Sequence, residues 1–201
     1  MLGKTELLEA IAATNRGLLA TAADRQAIQS LVARLEDRTP IAQPLEAQEQ
    51  LEGIWRLLYT TSQELLGIDS IPLYRLGQIY QCVYLTTERI YNLAEVVGLP
   101  ALAGLVTVAA RFEAVSPKRI NVAFERGIFG LQGPLNYSTP QTFVQKLQTT
   151  DKLPLWQGID FRINQTRQSG WLEVTYLDDD LRIGRGNQES IFILRKMKAP
   201  S

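Results

Sequence analysis

The sequence contains no histidine and a single cysteine, Cys82. Without histidine, the chain cannot build a Ser-His-Asp triad, a Cys-His catalytic pair or a zinc site with imidazole ligands. A single cysteine excludes a disulfide within the chain, which fits a reducing compartment. Because Cys82 lies in an apolar run, we expect it to be a buried structural thiol.

Long apolar runs and an excess of charge are missing as well. No run of about 18 apolar residues is present, so no membrane-spanning helix is predicted. The chain has 21 Lys and Arg residues and 21 Asp and Glu residues, which give a formal net charge of zero. This balance argues against a nucleic-acid-binding protein, since such proteins usually carry a basic excess. The first residues resemble neither a secretion signal nor a transit peptide, so we expect the protein to act where it is made unless a leader has been removed.

The N-terminal part of the chain has helical periodicity. Residues 4–38 are predicted to form two helices, each with one apolar face. The apolar positions are Leu7, Leu8 and Ile11 in the first helix and Ile28, Leu31, Val32 and Leu35 in the second. With the proline-containing linker that follows, residues 1–45 form a predicted helical arm, which precedes a domain over residues 46–201. The arm either packs on that domain or docks on a membrane or partner; its mixed polar faces favour packing.

After residue 50 the sequence changes to short runs rich in Val, Ile, Tyr, Phe and Thr, separated by Gly and Pro. The predicted strands are Gly53–Thr61, Gln78–Thr86, Arg89–Val97, Leu105–Val115, Arg119–Arg126, Trp171–Leu177, Leu181–Arg185 and Ser190–Lys196, with weaker evidence around Ile159–Asn164. In several of them apolar and polar residues alternate, which is typical of an antiparallel sheet with one buried face.

The strand number predicts a closed barrel, because closure removes the exposed edges of a sheet. A barrel of about eight strands can hold one small ligand. One helix interrupts the strands: it begins near Ser138, and its residues Phe143, Val144 and Leu147 face the sheet or plug one end of the barrel. The candidate ligand-binding residues are aromatic, although the same side chains would also fill a solid core. They are Trp55, Tyr59, Tyr84, Phe112, Phe124 and Tyr176.

Two stretches of the chain resemble the plastid-lipid-associated protein family, also called fibrillins. The first is Gly53-Ile-Trp-Arg-Leu-Leu-Tyr-Thr-Thr-Ser-Gln-Glu-Leu-Leu-Gly67, and the second is Tyr176-Leu-Asp-Asp-Asp-Leu-Arg-Ile-Gly-Arg-Gly-Asn187 followed by Ile191-Phe-Ile-Leu194. Arg16-Gly17 and the linker from Pro40 to Pro44 also match the family pattern, so the resemblance covers nearly the whole chain. It implies a mainly β (α+β) fold, a lipocalin-like antiparallel β-barrel with an N-terminal helical arm and one helix between strands.

The resemblance also implies what the protein binds and where it acts. Members of the family are associated with thylakoid membranes and plastid lipid droplets and are thought to shelter carotenoids, quinones and other isoprenoids. The lack of a transit peptide favours a cyanobacterial member, on the cytoplasmic side of the thylakoid membrane or on lipid particles, or else a trimmed plastid protein.

A barrel-closing motif follows from the same resemblance: Gly53, Trp55, Asp180, Arg182 and Arg185. In lipocalin-like barrels, the Gly-x-Trp strand start places the indole across the closed end against an arginine of the last strands. Arg182, Arg185 and Arg195 are the candidates for that arginine, with Arg185 favoured and Arg182 next. We expect Asp180 to pair with an arginine at one end of the barrel, although Asp178-Asp-Asp180 also reads as an ordinary tight turn.

These observations predict a non-enzymatic carrier of a carotenoid, quinone or other lipid, peripherally bound to thylakoid membrane or lipid particles, with a role in photoprotection and lipid storage. No catalytic residue, metal site or nucleic-acid partner is predicted. One alternative is a structural coat or docking protein whose barrel is solid. A lipid-modifying enzyme that uses Glu64, Asp178 or Asp180 is less favoured, because no nucleophile and base can be paired. The apolar segments Leu99–Leu105 and Ile128–Leu131 either contact membrane or ligand or are simply packed.

Overall fold

The structure, a computed structural model, describes residues 3–63, 75–98, 102–164 and 169–198. These residues form a mainly β fold, as predicted. The strands are β1 (Gly53–Thr60), β2 (Arg75–Tyr84), β3 (Arg89–Val97), β4 (Gly104–Ala114), β5 (Arg119–Leu131), β6 (Ile159–Arg162), β7 (Ser169–Leu177), β8 (Leu181–Gly186) and β9 (Ile191–Lys196). The helices are α1 (Lys4–Ala12), α2 (Ala22–Glu36), α3 (Gln48–Leu51), α4 (Gln132–Leu135) and α5 (Pro140–Thr149), with a 3₁₀ turn over Asn187–Glu189.

The strands form a closed antiparallel barrel, which confirms the lipocalin-like prediction. Eight of them follow one another in the order β4-β3-β2-β1-β9-β8-β7-β5, and pairing of β4 with β5 closes the circle. The short strand β6 pairs with the same edge of β5 as β7 does, but nearer the C-terminal end of β5. Strands β6 and β7 therefore line one edge of β5 in succession.

The segment that precedes β1 closes one end of the barrel. Strand β1 begins at this end, where the β2–β3, β4–β5 and β7–β8 turns also lie. The side chains of Ile41, Leu45 and Leu51 pack against the apolar cluster of the barrel interior. The backbone N–H of Leu45 also donates to the carbonyl of Pro117, in the β4–β5 turn, at 3.0 Å. This contact links the linker directly to the barrel.

Helices α1 and α2 pack on the outer wall of the barrel. Thr21 and Asp24 form a capping box at the start of α2. The apolar faces of the two helices share one buried cluster with outward-facing residues of the barrel. The cluster contains Leu7, Ile11, Ile28, Val32 and Leu35 from the helices and Tyr59, Tyr176, Leu181, Ile183, Ile191 and Ile193 from the strands. The N-terminal helices are thus a hairpin packed on the barrel.

Helix α5 covers a second part of the outer wall. Phe143, Val144 and Leu147 are buried in a cluster that also contains Cys82 and Leu93. They face the sheet from outside and do not plug the barrel end. Several strands are therefore buried on both faces, and near-continuous apolar runs are typical of such strands. Among the described residues, no helix has the length and apolarity needed to cross a bilayer.

Candidate functional site: a cavity inside the barrel

The barrel is hollow, which the sequence left undecided. Its interior contains a cavity of about 650 Å³, within the usual range of small-molecule sites, roughly 300–1,000 Å³. Most of the wall is apolar. The apolar lining includes Leu57, Ile79, Ile90, Val108, Val122, Phe124, Ile163, Trp171, Leu172, Val174, Phe192 and Leu194. From Arg182 the cavity extends to Ser62, Asn187 and Ser190, which lie beyond strand ends opposite the closed end.

Strand β8 supplies both the charge in this cavity and part of its empty space. Successive side chains of a strand point to opposite faces, so Arg182 and Gly184 both point inward. Gly184 has no side chain at this inward position, and it lines the cavity next to Leu172 and Val174. A Cβ at Gly184 would lie 3.3 Å from Leu172 Cδ1. The glycine therefore keeps open the space that adjoins Arg182.

Arg182 begins a chain of polar groups at the inner end of the cavity. Its Nη2 donates to Gln81 Oε1, and Gln81 Nε2 donates to Asn92 Oδ1 at 2.9 Å. Burial lowers the pKa of Arg182 to about 9, which leaves the guanidinium protonated at neutral pH. Within the described part of the chain, no carboxylate forms an ion pair with Arg182.

Trp55 lies behind this arginine, at the closed end. Its indole centroid is 4.7 Å from the Arg182 guanidinium carbon, and its Nε1 donates to the carbonyl of Leu51 at 2.9 Å. Trp55 is fully buried but does not line the cavity. Lys196 Nζ lies 5.6 Å from the same ring centroid. The indole is therefore close to two cations, one inside the barrel and one at its closed end.

Gly53 allows the chain to enter β1 above this indole. Its φ of +129° is one that other residues rarely adopt, and a Cβ there would lie 3.2 Å from Lys196 Cε. The glycine two residues before Trp55 is thus required by backbone geometry next to Lys196.

The arginine that stacks on Trp55 is Arg182 and not Arg185, the candidate favoured from sequence. Arg185 lies three residues further along β8 and so points outward. There its Nε and Nη2 donate to the Glu36 carboxylate at 2.9 and 2.8 Å. Arg185 thus holds the end of α2 against the barrel, and it plays no part in closing the barrel end.

Three of the six predicted aromatic residues are outside the barrel, so their assignment to the cavity was wrong. Tyr59 and Tyr176 pack under α1 and α2, and Tyr84 packs on the outer wall near α5. Irregular pairing between Leu57 and Tyr59 and between Val174 and Tyr176 reverses the alternation of β1 and β7. Trp55, Phe112 and Phe124 belong to the interior, and of the six only Phe124 lines the cavity.

Gln81 and Asn92 were missed by the sequence analysis, although the sequence contained a signal for them. Gln81 lies between Ile79 and Val83 on the inward face of β2, and Asn92 lies between Ile90 and Ala94 on that of β3. A polar residue on the otherwise apolar face of a strand is uncommon, because a buried polar group needs a hydrogen-bond partner. The two residues are paired across β2 and β3 by the 2.9 Å hydrogen bond between their side chains.

The acidic turn Asp178-Asp-Asp180 anchors helix α1. Asp178 accepts hydrogen bonds from Lys4 Nζ and from the Tyr176 hydroxyl, and Asp180 pairs with both Lys4 and Arg195. Burial raises the pKa of Asp178, but hydrogen bonds from Lys4, Tyr176 and two backbone amides outweigh it and hold the pKa below its usual range. The two carboxylates therefore do not contribute to the cavity lining.

A group of five large apolar residues, located on β5 and in and before β6, is exposed beside the open end of the barrel. We call it the β6 patch and define it as Phe129, Leu155, Trp156, Ile159 and Phe161. Leu155 is 87% exposed and Trp156 is 72% exposed. Phe129 pairs with Ile159 near the C-terminal end of β5, which runs toward the open end. Such a concentration of exposed large apolar residues usually marks an interaction surface.

The two apolar segments singled out from sequence are each divided between buried and exposed residues. In Ile128–Leu131, Ile128 is buried under α5, whereas Phe129 belongs to the β6 patch. In Leu99–Leu105, Leu105 is buried and Leu102 is exposed, and residues 99–101 lie outside the described residues.

The chain is similar in sequence to known proteins over nearly its whole length. A model of the PAP_fibrillin family matches residues 1–195. The chain is 31% identical to the light-induced chloroplastic protein of Solanum tuberosum, over 98% of this chain and 68% of that protein. It is 31% identical to the chromoplast-specific carotenoid-associated protein of Cucumis sativus, over 96% and 67% of the two chains. It is 29% identical to the plastid-lipid-associated protein of Citrus unshiu, over 98% and 68%. No solved structure matches the chain.

Proposed function

This chain belongs to the PAP_fibrillin family, and from that membership and the hollow barrel we propose that it is a non-enzymatic carrier of one lipophilic small molecule. The observation that carries the proposal is the cavity of about 650 Å³, whose wall is mostly apolar. Burial of apolar surface provides the main driving force for binding such a molecule. The names of two relatives, a carotenoid-associated and a plastid-lipid-associated protein, support the same class of cargo.

The proposed cargo is a carotenoid, a quinone or another isoprenoid or lipid. The curated relatives are chloroplastic or chromoplastic proteins, and we place this chain at the thylakoid membrane or lipid particles of a plastid or cyanobacterium, with a role in photoprotection and lipid storage. A non-enzymatic role is supported by the carboxylates named above: Asp178 and Asp180 are bound by Lys4 and Arg195 outside the cavity. Glu64 lies outside the described residues.

Cargo retention tests the carrier proposal. Protein purified from a photosynthetic host is expected to release a near-stoichiometric lipophile on organic extraction, which mass spectrometry and an absorption spectrum identify. Val122→Phe adds bulk to the cavity wall and is expected to lower the cargo at least several-fold, because a close-packed interior has no room for both. Its matched control is Asn121→Phe, which adds the same ring at an exposed position of β5 and is expected to retain the cargo.

Two results would contradict the carrier proposal. One is wild-type protein that carries no lipophile and takes up none of the carotenoids, quinones and lipids offered to it. The other is Val122→Phe protein that retains as much cargo as Asn121→Phe, since the molecule would then bind outside the cavity.

The β6 patch favours a second role, peripheral attachment to a lipid surface. Trp156 is an amphipathic residue of the kind enriched at membrane interfaces. The exposed cations Lys152 and Arg162 flank the patch in sequence, and basic residues near an apolar surface are attracted to anionic lipids. Since the patch adjoins the open end of the barrel, attachment there would place the cavity entrance near the lipid.

Vesicle flotation tests this attachment. Wild-type protein is expected to float with vesicles that contain phosphatidylglycerol, and the double variant Leu155→Ser, Trp156→Ser is expected to lose most of that binding because the apolar contact is removed. Val115→Ser is the control, since Val115 is also an exposed apolar residue but lies in the turn after β4, at the closed end. Equal flotation of the double variant and the wild type would exclude the β6 patch as the contact surface.

A further inference from the structure

We propose that the cavity selects lipophiles with a carboxylate head group, which Arg182 binds at the closed end while the apolar tail extends toward the open end. This inference rests on the proposed carrier function and adds the chemical class of the cargo. It also assigns an orientation, head inward and tail outward.

The first reason is that Arg182 has unused hydrogen-bonding capacity at the cavity wall. A guanidinium has five N–H donors, and the described contacts of Arg182 use one of them, on Gln81 Oε1. The side chain is only 2% exposed, so bulk water does not solvate it well. A ligand oxygen in the cavity would give these donors the partners they lack.

The second reason is the charge. A buried ion without a counter-ion is costly, and none of the described carboxylates pairs with Arg182. A carboxylate brings one negative charge and two oxygens, which match one guanidinium in charge and in planar geometry. A phosphate monoester carries close to two charges at neutral pH, so this single cation would leave part of its charge uncompensated.

The third reason is the distribution of polarity along the cavity. Gln81 accepts from Arg182 and donates to Asn92, and both amide side chains line the cavity. Asn92 therefore adds a side-chain amide, at the same polar end as the guanidinium, that can hydrogen-bond a head group. Between these three residues and the polar residues at the open end, such as Ser62 and Asn187, the wall is formed by apolar side chains such as Ile90, Val108 and Phe124. An amphiphile with its head at Arg182 matches both the polar end and the apolar wall of the cavity. A pure hydrocarbon would cover the guanidinium without forming a hydrogen bond to it.

Fluorescence titration with cis-parinaric acid and its methyl ester tests the inference. The two probes have the same tail, and only the acid carries a charge at pH 8. Wild-type protein is expected to bind the acid about 10- to 100-fold more tightly than the ester, the usual range for a charge-assisted hydrogen bond in a buried site. In Arg182→Leu the two affinities are expected to become equal within a few-fold, because the ester keeps its apolar contacts.

Two further variants separate recognition of the head group from folding. Lys196→Met removes the other cation next to Trp55. Lys196 does not line the cavity, so this variant is expected to retain the preference for the acid. Asn92→Leu leaves the stacked guanidinium in place and is expected to weaken acid binding several-fold with little effect on the ester. This variant keeps the test valid even if Arg182→Leu does not fold, since Arg182 also supports Trp55.

The titration distinguishes failure of the head-group inference from failure of the carrier proposal. If wild-type protein binds acid and ester equally, or the ester more tightly, the head-group inference is wrong and the carrier proposal stands. If Lys196→Met abolishes the preference as fully as Arg182→Leu does, general positive charge explains the effect and the inference is also wrong. If neither probe binds, the head-group inference is wrong, and the extraction and uptake experiments described for the carrier proposal decide that proposal separately.

Discussion

Replacement of Trp55 by alanine is expected to lower the free energy of unfolding by about 3–5 kcal/mol, the usual cost of removing a buried tryptophan from a core. The indole is fully buried at the closed end of the barrel, where it contacts Arg182 and Lys196 and donates to the Leu51 carbonyl. Its loss leaves a cavity beside a buried guanidinium, which then lacks the ring that it stacks on. Urea unfolding followed by circular dichroism measures the change.

The matched control for this experiment is Trp156→Ala. Trp156 is 72% exposed, so its removal is expected to change the free energy of unfolding by less than about 0.5 kcal/mol. Trp55→Phe should lie between the two, since it keeps an aromatic ring but loses the hydrogen bond and part of the volume. A loss below about 1 kcal/mol for Trp55→Ala would mean that Trp55 does not close the barrel end in the manner described.

Replacement of Gly17 by alanine is expected to cost about 3 kcal/mol, which is the second-largest effect. Gly17 adopts a φ of +105°, and a Cβ there would lie 2.3 Å from the Thr60 carbonyl oxygen. The Cβ is fixed to the backbone of residue 17 and the oxygen belongs to the backbone of Thr60, so neither atom can move aside without a shift of the chain. The same segment is held to the barrel because the Thr60 N–H donates to the Arg16 carbonyl at 3.1 Å. We therefore expect the α1–α2 connection to separate from the end of β1.

Thermal unfolding and limited proteolysis both measure this effect. Gly17→Ala should lower the melting temperature, and cleavage near the α1–α2 connection should become faster than in the wild type. Gly133→Ala is the control, because a Cβ at Gly133 in α4 meets nothing within 4 Å. That substitution is expected to leave stability unchanged or to raise it by up to about 1 kcal/mol. Similar melting temperatures for the two variants would contradict the close approach of Gly17 to Thr60.

The two substitutions affect different supports of the same cavity. Trp55 closes the inner end, beneath Arg182, whereas Gly17 allows the N-terminal helices to lie against the outer wall. Since α1 is also anchored through Lys4 to Asp178 and Asp180, the outer helices are bound to the barrel both near the end of β1 and at the β7–β8 turn. We infer that these helices stabilise the wall around the cavity.

Much of the fold follows from local features of the sequence. The capping box at Thr21 marks the start of α2, and alternation on β4 and β5 correctly places Phe112 and Phe124 inside. These features depend on neighbours within a few residues, so they can be read without knowledge of the tertiary structure. The exclusion of a Ser-His-Asp triad, a Cys-His pair and histidine-containing zinc sites likewise needs no tertiary structure, since the absence of histidine is a matter of composition alone.

The alternation rule fails at the two irregular pairings. On β1 the rule places Tyr59 with Trp55 and Leu57, and on β7 it places Tyr176 with Val174. An extra residue at each irregularity moves the tyrosine to the opposite face. The resulting outward face carries an apolar cluster with α1 and α2, which the sequence presents as separate, distant segments.

Local pattern in the sequence is enough to predict a barrel of alternating strands preceded by two helices, and two motifs carry the resemblance to the family. The closed barrel shows in addition that its interior is hollow, that Arg182 and not Arg185 stacks on Trp55, and that Gln81 and Asn92 join Arg182 at the inner end. Local pattern depends on near neighbours. A cavity and a buried charge arise instead when strands far apart in the chain close around a common interior, and the space left there depends on all of their side chains at once.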